Sequence, residues 1–129
     1  MKPTLIVLIV GILAVGCLTS EQKQKALRDS VVGEYKIKRK DGVTDKAVFL
    51  DNGIYEYYAN GNKIGEESKW SISNGEIHIK REKCFLNIRA SITVYRINPD
   101  KSITDIAGIR DGEREDMPKE IQWTYKKIK

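Results

Sequence analysis

Apolar and polar residues divide this chain into two regimes. Residues 5–16, LIVLIVGILAVG, are continuously apolar, whereas beyond residue 30 apolar positions alternate with polar ones. Alternation with a period of two sends successive side chains to opposite faces, as in a strand with one buried face. In VVGEYKIKR, Tyr35 and Ile37 share a face and Glu34, Lys36 and Lys38 take the other. In KIGEESKWSIS, Ile64, Ser68, Trp70 and Ile72 oppose Glu67, Lys69 and Ser71. Ile77 and Ile79 alternate with His78 and Lys80, and Ile121, Trp123 and Tyr125 with Gln122, Thr124 and Lys126. Adding AVFL, IYEYY, a long segment from Cys84 to Ile97 and ITDIAGI gives eight strands. In the Cys84 segment, Cys84, Leu86, Ile88, Ala90, Ile92 and Val94 share one face, so Cys84 reads as a buried thiol. The length of that segment predicts a bend or bulge.

The punctuation supports neighbouring antiparallel strands. Asp41-Gly42, Asn52-Gly53, Asn60-Gly61, Asn74-Gly75 and Asp111-Gly112 supply the positive φ angles of tight hairpin turns, and Pro99-Asp100 marks another turn. No segment of helical period interrupts the strands. A run of strands with one apolar face removes its edges by closing, so the expected fold is all-β, an antiparallel meander closed as an eight-stranded barrel. A two-sheet sandwich is the alternative, disfavoured because no long crossover is evident. Before the strands, SEQKQKALRDS predicts a polar tether ending in a short helix, with Ser20 as a cap.

At 129 residues the chain has room for one domain, and its mean hydropathy of -0.45 averages an apolar leader with a polar remainder. The leader has the anatomy of an export signal: Met1 and Lys2, an apolar run, then Ala14-Val15-Gly16-Cys17. A helix of that run reaches about 18 Å, short of a hydrocarbon core of about 30 Å. The Ala14–Cys17 sequence resembles a bacterial lipobox, with Ala14 where that pattern prefers Leu. The resemblance implies diacylglycerylation of the Cys17 thiol, cleavage before it and acylation of the new amino terminus. Acyl chains of palmitate length, two or more together, anchor a protein stably. Leu18 stands where an Asp would retain an enterobacterial lipoprotein in the inner membrane. The implied location is the bacterial cell envelope, at the outer membrane if the host has one. The expected organisation is a signal peptide over 1–16, a lipidated tether and short helix over 17–30, and the barrel over 31–129.

The strands carry a second resemblance. Gly33-Glu34-Tyr35, then Phe49, Asn52, Gly53 and Tyr55, then Trp70 before Asn74-Gly75, resemble the motifs of small bacterial lipocalin-like domains. Tyr35 takes the place of the family's first-strand Trp, and the match spans residues 31–80. It implies a lipocalin-like barrel and bears less on activity, because one fold hosts many functions.

Catalytic chemistry is sparsely supplied. His78 is the lone histidine and faces away from Ile77 and Ile79, no phosphate-binding glycine loop follows a strand, and no cysteine pair has metal-ligand spacing. The expectation is a non-enzyme without cofactor or metal. The acidic stretch from Asp111 to Asp116 lacks the alternating spacing of a calcium loop and contains Arg114, so it reads as a solvated loop. The net charge of +5 is interleaved with acids, which argues against a nucleic-acid partner. Of Tyr57 and Tyr58, which face opposite sides, one is expected exposed. The remaining expectation is a small apolar ligand inside the barrel, bordered by Tyr35, Trp70 and Trp123. The alternative is a filled barrel that binds an envelope protein, as inhibitor or assembly factor. A vacant interior beside Tyr35, Trp70 or Trp123 separates the two.

Overall fold

The computed structural model describes residues 19–81 and 91–129. The lipobox with Cys17, the apolar leader and the Cys84 segment up to Ala90 lie outside them. Among the described residues no helix is long and apolar enough to cross a membrane. One helix, α1 (Ser20–Val31), precedes the strands β1 (Gly33–Lys38), β2 (Thr44–Phe49), β3 (Ile54–Ala59), β4 (Asn62–Lys63), β5 (Ser68–Ser73) and β6 (Glu76–Lys80). After them come β7 (Ser91–Ile97), β8 (Ile103–Arg110), β9 (Glu113–Asp116) and β10 (Thr124–Lys127).

Eight strands close a barrel in the order β10-β1-β2-β3-β5-β6-β7-β8, with β8 returning to β10. The short strands β4 and β9 stand off this ring on β3 and β8. Every pairing is antiparallel. Closure rests on Tyr125 opposite Ile103 and Tyr35 opposite Lys127, and on Gly33. Its backbone has φ +145° and a Cβ there would lie 2.1 Å from the Lys129 carbonyl oxygen, so only glycine lets the chain's end approach β1. The turns at Asn60-Gly61, Asn74-Gly75 and Asp111-Gly112 have positive φ at both positions, as the sequence predicts.

The core follows the inward face: Tyr35, Ala47, Phe49, Tyr55, Trp70, Ile77, Ile79, Tyr95, Ile103 and Tyr125 are buried, with Val31 of α1 against them. The expected irregularity of the long strand is present as a register shift between Val94 and Tyr95, which buries both residues in succession. His78 lies between buried Ile77 and Ile79, half-buried on the opposite face. Neither Tyr57 nor Tyr58 is exposed; both are half-buried.

Four local expectations are corrected. The helix begins where the tether was expected: Thr19, not Ser20, caps it, its hydroxyl accepting from the Gln22 N–H while the Gln22 side chain accepts from the Thr19 N–H. Ile64 is 51% exposed, because β5 starts only at Ser68 and alternation does not reach back to residue 64. Ile121 and Trp123 are 53% and 44% exposed. Pro118 leads into a 3₁₀ turn over Lys119–Ile121 and β10 starts at Thr124, so of the three expected inward residues only Tyr125 is buried. Finally, Glu113–Asp116 is strand β9 rather than a loop. Its residues are all exposed, and pairing with β8 rather than burial makes it a strand.

Candidate functional site

Two of the three residues expected to border a ligand are sealed in the core. Tyr35, Tyr55 and Trp70 surround Phe49 at ring separations of 5.4, 5.1 and 5.5 Å, the Tyr35 and Trp70 contacts being edge-to-face. Their polar tips are satisfied: the Tyr35 hydroxyl donates to the Val31 carbonyl at 2.7 Å, and the Trp70 indole N–H to the Leu50 carbonyl at 2.9 Å. Arg28 of α1 lies 4.9 Å from the Trp70 ring. Burial pushes the Tyr35 hydroxyl up to about 12. Trp123 is not with them; it lies exposed, with the Arg39 guanidinium 5.7 Å from its ring. The structure therefore builds no pocket from Tyr35, Trp70 and Trp123 together.

Polar groups that the sequence reading passed over occupy another part of the interior. Asp45 is 1% exposed, accepting from the Arg39 guanidinium at 2.8 Å and from the Tyr57 hydroxyl. The Tyr57 and Tyr125 hydroxyls lie 3.2 Å apart, and the Tyr125 ring meets Tyr95 edge-on at 5.9 Å. Burial, then the bonds to Asp45 and Tyr125, raise the Tyr57 hydroxyl well above the ordinary tyrosine range. Burial also raises Tyr55, Tyr95 and Tyr125.

Asp105 of β8 is within electrostatic reach of these last three tyrosines and of Arg81. Its Oδ1 is buried without a hydrogen-bond partner among the described residues. Such an oxygen costs about 1–3 kcal/mol. Burial pushes the Asp105 carboxyl up to about 6, against the pull of Arg81. Beside Asp105 is a cavity of about 450 Å³, within the range of small-molecule sites. Thr93, Asp105 and Glu115 line it from the inward face, Arg81, Arg110 and Glu113 add charge, and half-buried Met117 adds an apolar side chain. Exposed Pro118 and Ile121 also border it.

The three comparisons with known proteins are empty. No family model, curated protein or solved structure matches the chain. The site is therefore interpreted from its own geometry. That geometry presents a recessed carboxyl, an apolar border at Met117 and Ile121, and two exposed arginines. An inward acid two residues from apolar neighbours was the available signal, as in Ile103-x-Asp105-x-Ala107 and Asp45-x-Ala47-x-Phe49.

The raised Asp105 group has a consequence for stability. A carboxyl whose folded value exceeds its ordinary value of 3.8 favours the fold in its protonated form. That contribution is complete below about pH 4 and is lost as pH rises through about 6. The shift corresponds to about 3 kcal/mol at face value, reduced to about 1–2 kcal/mol because the residue is only half-buried and solvent screens it. Asp105→Asn is therefore expected to stabilise the protein by about 1–2 kcal/mol at pH 8 and to leave it unchanged at pH 4, measured by urea unfolding at both pH values.

Proposed function

We propose that this chain is a lipid-tethered protein of the bacterial cell envelope whose lipocalin-like barrel is a non-catalytic binder of a small ligand, seated in the cavity beside β8 and β9. The tether rests on the apolar run over residues 5–16 and on Ala14-Val15-Gly16-Cys17, with Leu18 favouring the outer membrane in a host that has one. The binding role rests above all on the cavity of about 450 Å³. Met117 and Ile121 at its border suit the body of the expected ligand, while its position replaces Tyr35, Trp70 and Trp123 as the lining. A second reading, an interaction module for an envelope protein, draws support from the packed Tyr35–Phe49–Trp70 cluster and from exposed Ile121 and Trp123.

In a bacterial host, Cys17→Ser is expected to abolish labelling by a palmitate analogue and to release the protein from the membrane fraction, with the parent chain labelled and retained. Equal labelling and retention of the variant would overturn the tether. Mass spectrometry of small molecules co-purified with the native protein is expected to find one ligand at near-stoichiometric amount. Its absence, with an envelope protein co-purifying instead, would favour the interaction module.

A further inference from the structure

We propose that the ligand of the β8–β9 cavity is an amphipathic cation, an apolar body bearing a primary ammonium or guanidinium group, and that Asp105 receives the cationic head. The inference rests on the reading of this cavity as a ligand seat and adds the ligand's charge and chemical class. Asp105 Oδ1 is the group that an incoming donor would satisfy, since it is buried and accepts from no group among the described residues. A neutral apolar molecule would leave it unpaired. A carboxylate ligand would meet repulsion as well.

The charges around the cavity act in the same direction. Glu113, Glu115 and Asp116 of β9 stand on its border. Arg114, the basic residue among them, is not in the lining; its guanidinium is held by Glu76 at 2.7 and 3.0 Å and by Asp116 at 2.9 Å. The opposing cations in the lining, Arg81 and Arg110, are exposed and keep their hydration, whereas the Asp105 oxygen does not. A cationic head therefore gains a desolvated partner, which an anionic head on either arginine does not. Met117 and Ile121 at the border supply the apolar contact that makes a small organic amine a better occupant than a hydrated metal ion.

The groups that face Asp105 set the pH response. They are Tyr55 from β3, Tyr95 from β7, Tyr125 from β10 and Arg81 after β6, with Arg110 farther along β8 and the three acids of β9 around the same cavity. Burial holds the tyrosines neutral across the physiological range, whereas Asp105, pushed up to about 6 by burial, titrates there.

Isothermal titration of the full chain in a neutral detergent tests this with three probes of similar size: benzylammonium, benzyl alcohol and benzoate. At pH 7.5 benzylammonium is expected to bind at least about tenfold more tightly than the other two. Asp105→Asn should erase that preference, with thermal unfolding confirming that the variant is folded. Lowering the pH from 7.5 to 5 should weaken benzylammonium alone, by about tenfold. Benzyl alcohol or benzoate binding as tightly as benzylammonium, or a preference that survives Asp105→Asn, would overturn the cation assignment while the ligand seat stood. If none of the three probes bound, the seat itself would fall and the assignment with it.

Discussion

Asp45→Ala is expected to lower stability by about 3–5 kcal/mol, the range for breaking one side of a buried charged pair. Asp45 is fully enclosed, and its carboxylate joins the Arg39 guanidinium to the Tyr57 hydroxyl. Its loss strands both donors, and Tyr57 passes the effect on to Tyr125, whose hydroxyl is 3.2 Å away. Tyr57→Phe removes the hydroxyl's bonds to Asp45 and Tyr125 but leaves the Asp45–Arg39 pair, and should cost less, about 1–2 kcal/mol. A double-mutant cycle by urea unfolding then measures the coupling, expected at about 1 kcal/mol or more. Independent effects of the two substitutions would show that the interior polar network does not act as a unit.

Phe49→Ala is expected to cost about 3–5 kcal/mol. Phe49 is 1% exposed and is the ring that Tyr35, Tyr55 and Trp70 all touch. These neighbours cannot collapse freely into the space, because Tyr35 is bonded to Val31 and Trp70 to Leu50 through their polar tips. The same substitution should leave ligand affinity at the β8–β9 cavity within about twofold, since Phe49 is not part of its lining. Unfolding and ligand titration of this variant together separate the stabilising half of the interior from the binding half.

Much of the barrel was legible because its strands obey one simple rule. Residues such as Tyr35, Phe49, Trp70, Ile77 and Ile79 occupy every second position between turns of Asn-Gly type, and all are buried. The rule failed where the backbone left the strand conformation. Trp123 has the right parity with Tyr125 but follows the 3₁₀ turn after Pro118, and Ile64 precedes the start of β5. Strand β9 was hidden for the opposite reason: Glu113-Arg114-Glu115-Asp116 has no apolar member, and its strand form comes from hydrogen bonds to β8. Local patterns do not report pairing of that kind.

The candidate site was less legible than the fold. Counting only apolar residues as inward overlooked Asp45 and Asp105, although both lie in phase with buried neighbours. What makes them informative is tertiary. Asp45 finds Arg39 six residues away and Tyr57 on the neighbouring strand, whereas Asp105 finds no partner for one oxygen among the described residues. The size and position of the cavity likewise arise where the barrel strands β7 and β8 meet β9 and the segment through Met117, an arrangement set by the barrel's closure.

The central claim is that a ligand sits beside β8 and β9 and not among the core aromatics, and the most direct measurement is where a bound probe perturbs the protein. Methyl and indole NMR signals recorded during titration with benzylammonium should shift at Thr93 and Met117 and stay fixed at the Trp70 indole N–H. Shifts centred on Trp70, with Thr93 and Met117 unmoved, would contradict the account.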